Sequence, residues 1–259
     1  MGLLEKHNPA GYSSWDKCDI KKETKKLLDE VYEYSKRLYA ESKQSVLLIL
    51  QGMDASGKDG LTRTLFKTIS PSWVNVHSFK KPTDEEFAHD FLWRIHKCTP
   101  AAGTITVFNR SHYEDILVPS VYGYIDDETI EQRYDQINAF EKHLEANGTK
   151  IIKCYLNVGY EKQEEKLLER INTAEKHWKH SDGDWETRAR WDDFMKVYEN
   201  IFDKCNDIPW HVIPCNHNWG KLYTTASILV DTLKEMDPKF PGLESEKFTP
   251  DYSKSKYRY

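Results

Sequence analysis

An unbroken apolar run, Val46-Leu47-Leu48-Ile49-Leu50, leads within two residues into Gly52-Met53-Asp54-Ala55-Ser56-Gly57-Lys58-Asp59-Gly60. An apolar run of this length, bounded by glycines, reads as a strand buried on both faces. Leu61-Thr62-Arg63-Thr64-Leu65-Phe66 then opens a helix. Strand, glycine-rich turn and helix N-terminus in that order make a phosphate cradle. The glycines let backbone N–H groups converge on an anion, and the helix end favours negative charge there. Lys58 supplies a mobile cation for the outer phosphates.

The spacing G-x-x-x-x-G-K is that of a P-loop, with two departures. A P-loop carries Ser or Thr after its lysine, to hold magnesium by the hydroxyl; this chain has Asp59. A second carboxylate, Asp54, stands inside the loop, where it would repel a phosphate. That placement makes sense if a metal or an arginine lies between them, or if the carboxylate orients an attacking group.

Beyond the cradle, strands are expected at 74–79, 105–108, 151–156 and 210–214. Helices are expected at 19–42 (capped by Asp19), 61–69, 85–97, 127–146, 161–171, 188–204 and 219–236. Five strands alternating with helices predict an α/β, three-layer fold of the P-loop kinase type, a five-stranded parallel sheet with helices on both faces. Ligands in such a sheet bind beyond the carboxyl ends of the strands. Residues 1–237 are expected to form one domain, with 1–18 as a surface arm, a lid at about 170–190, and an extended tail over 238–259 that could fold against a neighbouring subunit. The Lys21-Lys22 and Lys25-Lys26 pairs read as the solvated face of the first helix.

The 259 residues carry a net charge of -5, so a nucleic-acid partner is not expected. A polyanion would have to meet a local basic channel. Five cysteines without a C-x-x-C pair read as free thiols in a reducing compartment. No apolar run approaches the ~20 residues of a membrane span. A cytoplasmic protein is the expectation.

Three further groups of residues bear on chemistry. Asn109-Arg110 ends the third strand, where Arg110 would reach the transferring phosphate and Asp115 could serve a metal through water. Arg170, Arg188 and Arg190, with interleaved tryptophans, suit a lid that excludes water and brings positive charge to the transition state. Lys67, Lys80, Lys81, Arg94, His96 and Lys97 could line a groove for an anion longer than a nucleotide.

Gly52 to Gly60, Asp90-Phe91-Leu92-Trp93-Arg94-Ile95-His96, Phe108 to Leu117 and Arg188-Ala189-Arg190-Trp191-Asp192-Asp193 together resemble the family-2 polyphosphate kinases, over about residues 10–235. The Asn109-Arg110 form is similar to the class acting on both nucleoside mono- and diphosphates. The resemblance implies reversible, direct transfer between inorganic polyphosphate and adenine or guanine nucleotides, magnesium (or manganese) as cofactor, and a homodimer or homotetramer. By that resemblance Asp54 holds the metal and orients the acceptor. Lys58, Arg110, Asn109 and Arg170 act on the phosphoryl group in flight. Gly52, Ala55, Ser56, Gly57, Asp59, Gly60, Asp115, Arg188 and Arg190 bind nucleotide or phosphate, and the 67–97 cations track polyphosphate. Two other readings of the residues stay open: an ATP-dependent kinase on the same fold, and a degenerate P-loop module that binds nucleotide without turnover.

Overall fold

The structure is a computed structural model and describes residues 2–245, 247, 248 and 250. Its strands are β1 (Ser45–Gln51), β2 (Val74–Ser78), β3 (Ile105–Asn109), β4 (Thr149–Asn157) and β5 (Trp210–Pro214). They form one parallel sheet in the order β2-β3-β1-β4-β5. Every residue of β1 is buried, which is why its sequence is apolar without alternation.

The helices are α1 (Lys17–Glu41), α2 (Lys58–Leu65), α3 (Asp84–Phe87), α4 (Trp93–His96), α5 (Glu114–Tyr122), α6 (Asp127–Ala146), α7 (Tyr160–Asn172), α8 (Asp182–Ala189), α9 (Trp191–Lys204) and α10 (Asn218–Met236). Packing contacts join α1 and α2 to α10 in one layer, and α5 to α6 and α9 in the other. The chain therefore leaves β1 toward one layer and β3 toward the opposite one. Neighbouring strands whose connections diverge open a crevice between their carboxyl ends. The 52–60 cradle and Asn109-Arg110 meet in that crevice.

Several expected boundaries move, each for a local reason. Asp16, not Asp19, caps α1, its carboxylate accepting the N–H groups of Cys18 and Asp19 at 2.8 and 3.0 Å. The cradle helix starts at Lys58 and stops at Leu65, and a turn from Phe66 carries Ile69 back into the core. The helix expected over 85–97 is two single turns. Thr83 caps the first in a capping box with Glu86, and the Asp90 carboxylate takes the Leu92 N–H at 3.0 Å between them. Arg188 and Ala189 belong to α8, so the next helix begins at Trp191.

The amino-terminal arm is pinned across the ends of the last two strands. Glu199 accepts the N–H groups of Leu3 and Leu4, the Asn157 side chain donates to the His7 carbonyl, and the Asn216 N–H donates to the Pro9 carbonyl. Trp15 anchors its far end against Tyr12, Trp219 and Tyr223. The described part of the tail lies on its own chain: the Lys239 N–H donates to Glu41, and Phe240 packs under Lys36 and Arg37. Residues 246, 249 and 251–259 of the expected tail lie outside the described residues.

Candidate active site

The cradle is held open by two glycines whose backbone no other residue would adopt without strain. Gly52 has φ +145°, and a Cβ there would stand 2.7 Å from the Leu156 carbonyl oxygen. Gly57, at φ +90°, would put one 2.2 Å from the Lys221 ammonium. Close approach on both sides is thus a condition of the loop's shape. Lys221 belongs to α10, and its Nζ donates to the carbonyls of Ser56 and Gly57 at 3.1 Å each, clamping the cradle from outside.

Lys58 is buried and curls over its own loop, donating to the Gly52 carbonyl at 2.7 Å, the Met53 carbonyl at 3.2 Å and the Ser56 hydroxyl at 3.4 Å. Burial, with Arg110 nearby, lowers its pKa to about 8. Lys166 of α7 is similar: its Nζ donates to the Cys215 carbonyl, and burial beside Lys221 lowers its pKa to about 8. Ammonium groups so placed are under-solvated, and a multiply charged anion would relieve them.

The two unusual carboxylates each have a partner from β3. Arg110 Nη2 donates to Asp54 Oδ1 at 2.5 Å. The Asn109 amide donates to Asp59. An arginine, one of the alternatives left open for Asp54, therefore stands beside it, and Asp59 is turned to Asn109. Arg110 reaches this position with its own backbone left-handed, at φ +60°. Its pKa is raised, first by Glu114, with Asp54 adding to the effect against burial. Glu114 is in turn held by the Gln51 amide at 3.1 Å.

A cavity of about 1100 Å³ opens above the cradle, larger than the ~300–1,000 Å³ usual for one small ligand. Eleven lysines and arginines line it against four carboxylates, in a chain whose net charge is -5. Of the expected site residues, Asp54, Ala55, Gly57, Lys58, Asp59, Gly60, Lys80, Asn109, Arg110 and Arg170 line this cavity. Gly52 and Ser56 are buried beneath it as loop framework. Arg170 donates to the Lys179 carbonyl and to Asp184 Oδ2, the latter at 2.5 Å, tying α7 to the segment that follows. Burial, reinforced by Asp54, raises the Asp184 pKa.

Other expected residues are placed elsewhere. Arg94 is buried, donating to the Lys80 carbonyl at 2.8 Å and to Asp115 Oδ2 at 3.0 Å. It holds the loop after β2 and occupies the carboxylate that was expected to serve a metal. Arg188, on α8, is buried against α7, bonded to the Tyr160 carbonyl, Gln163 and Glu164 and stacked 3.6 Å from the Tyr160 ring. Arg190 points to the Val121 carbonyl and the Tyr122 ring. Lys67, Lys81, His96 and Lys97 are exposed and outside the cavity lining; Lys97 sits on the Trp93 ring.

The cavity also recruits cations not expected there. Lys21 and Lys25 of α1, the expected solvated face, line it, as do Arg63, Lys166 and Lys221, together with Lys176 and Lys179 of the expected lid segment. The one signal available was on α10: Lys221 and Thr225 are both buried in a four-residue stripe with Leu229 and Leu233, and a lysine in an apolar stripe is out of place unless it has a task.

No group of three or more His, Cys, Asp or Glu among the described residues is placed to hold a metal by itself. Magnesium is ordinarily bound by one or two carboxylates together with substrate phosphates. Asp54 and Asp184, both in the cavity lining, fit that mode.

The family model described as polyphosphate kinase 2 matches residues 14–241. The chain belongs to the polyphosphate kinase 2 family. It is 41% identical over 210 residues to the AMP/ADP-polyphosphate phosphotransferase of Meiothermus ruber, covering 80% of this chain and 79% of that one. It is 35% identical over 228 residues to the ADP-polyphosphate phosphotransferase of Rhodopseudomonas palustris, covering 83% and 79%. Among solved structures, polyphosphate kinase 2 from Arthrobacter aurescens superposes with a TM-score of 0.88 at 39% identity, covering 92% of this chain and 86% of that one. The P-loop kinase-like fold, with its five parallel strands, is thereby that of the family. No helix among the described residues is long and apolar enough to cross a membrane.

Proposed function

We propose that this polyphosphate kinase 2 transfers the terminal phosphoryl group of inorganic polyphosphate to nucleoside diphosphates and monophosphates, directly and reversibly. One observation carries the reading: a cavity of about 1100 Å³ concentrates eleven cations around a cradle bearing the Asp54–Arg110 pair. Two polyanions can approach that pair from opposite sides. Lys58 and Arg110 neutralise the phosphoryl group in transit, and Asp54 orients the acceptor phosphate. Placing the acceptor oxygen in line with the terminal phosphorus is the protein's main task, since charge and position dominate phosphoryl transfer. Magnesium, or manganese in its place, would be held by Asp54, with Asp184 available, together with phosphate oxygens; it supplies neutralising charge. Residues 170–190 form the lid, and Arg170 links it to the cleft.

Polyphosphate would run along Lys21, Lys25, Arg63 and Lys80, the cations on the α1, α2 and β2 side of the cradle. Incubation with magnesium, ADP or AMP and long-chain polyphosphate should yield ATP, or ADP from AMP, by luminescence or anion-exchange chromatography. Asp54→Ala and Lys58→Ala should abolish transfer while leaving the melting transition in place. A protein that phosphorylates a small acceptor from ATP but makes no ATP from polyphosphate would refute the reading. Because the groove is exposed, affinity for polyphosphate should fall steeply with added salt.

A further inference from the structure

Two tryptophans line the cavity, Trp178 and Trp219, and they differ in what occupies their faces. Trp219 is partly buried and its ring is partnered: the His217 ring stacks on it at 5.3 Å with an interplanar angle of 14°, and Trp15 packs edge-on at 5.9 Å. Trp178, on the short 3-10 helix Ala174–Lys179, is 78% exposed. No ring pair among the described residues includes it, and its one recorded ring contact is the Lys179 ammonium 4.9 Å from the ring centroid. A large apolar ring left open at a cleft wall costs hydration free energy unless something covers it.

The rest of the cavity narrows the choice of cover. Eleven of its 29 lining residues are cations, and Leu28 of α1, Leu61 of α2, Phe79 and Leu222 of α10 add apolar surface. Flanking Trp178, Lys176 and Lys179 also line the cavity. An aromatic platform with ammonium groups on either side suits a flat base attached to phosphates: the ring takes the π-face, the lysines the charge. A linear polyphosphate has no face to offer an indole.

We propose that Trp178 is the nucleobase platform of this enzyme, stacking the purine of the acceptor nucleotide from the lid side. The inference rests on the nucleotide reading given above. Stacking reads a π-face rather than a hydrogen-bond edge, so Trp178 favours purines over pyrimidines and separates adenine from guanine weakly. It also couples base binding to the lid: the turn carrying Trp178 is tied to α7 and α8 through Arg170, the Lys179 carbonyl and Asp184.

The test is steady-state kinetics of Trp178→Ala and Trp178→Phe with ADP, GDP and CDP as acceptors. Trp178→Ala should raise the KM for ADP and GDP by roughly 5- to 150-fold, the range that loss of one base–aromatic stack gives. The KM for CDP should rise less, that for polyphosphate should stay within about twofold, and Trp178→Phe should recover most of the loss. Inhibition by methylenediphosphonate, which has no base, should be unchanged in Trp178→Ala. An unchanged ADP KM, or a rise for polyphosphate and methylenediphosphonate as large as that for ADP, overturns the assignment. A wild-type protein that makes no ATP from polyphosphate would instead remove the reading on which it rests.

Discussion

Two of the three cavity lysines whose pKa burial lowers, Lys58 and Lys166, allow the charge requirement of the site to be counted by pH. Lys58 and Lys166 both have pKa values of about 8, and burial is the first cause in each case. Each is an ammonium below that value and a neutral amine above it, so positive charge leaves the cleft as pH rises through 8. The pH dependence of kcat/KM reports groups of the free enzyme. With pKa values of 8, roughly three-quarters of each lysine is charged at pH 7.5 and roughly 3% at pH 9.5. If phosphate recognition requires both, kcat/KM for polyphosphate should fall on the order of 500-fold over that interval, approaching a slope of about -2. Lys166→Met should leave a lower starting value and a slope of about -1, a fall of roughly 25-fold, because one titrating charge remains. The assay is initial-rate ATP formation at fixed ionic strength, starting at pH 7.5 so that the substrates' own phosphate ionisations are largely complete. A wild-type profile flat to pH 9.5 would refute the argument that these ammonium groups are under-solvated until an anion arrives.

Other substitutions test the framework. Arg94→Met strands the half-buried Asp115 carboxylate, whose pKa burial already raises. Removing one partner of such a pair should cost about 3–5 kcal/mol, or about 6–20 °C of melting temperature in a chain of this size, with polyphosphate affinity nearly unchanged. A normal melting temperature with weakened polyphosphate binding would return Arg94 to the substrate groove. Gly52→Ala should cost at least ~1–3 kcal/mol through its clash with the Leu156 carbonyl, read as a lower urea midpoint; an unshifted midpoint would contradict the close packing of the cradle on β4.

The cradle, its strand and the placing of Asn109-Arg110 at the β3 end were legible because each depends on residue type at fixed local spacing. A bare carboxylate at Asp54 would have repelled the ligand, which left a metal, an arginine or an orienting role open, and Arg110 stands beside it. The walls of the cleft were not legible in the same way. Lys21 and Lys25, four apart on α1, have the same pattern whether a helix face meets bulk water or a groove. Only the packing of α1 against α10 beside the cradle decides it. Arg94 illustrates the reverse case: it stands among surface-like neighbours, yet the loop after β2 folds over it and its charge is spent on Asp115 and the Lys80 carbonyl. The apolar spacing of Phe87, Phe91, Leu92 and Ile95 suits a continuous helix, but Phe87 is exposed and the Asp90 carboxylate competes for a backbone N–H, so the segment breaks into two turns.

The left-handed backbone at Arg110 sets thermal resilience against turnover. A non-glycine residue at φ +60° carries a conformational cost of roughly 1–2 kcal/mol that glycine would not. Heat challenge alone would therefore tend to reward glycine at the position whose guanidinium is proposed to neutralise the phosphoryl group. Any attempt to toughen this enzyme for ATP regeneration should exempt that codon from its libraries and seek its gains in the exposed turns instead.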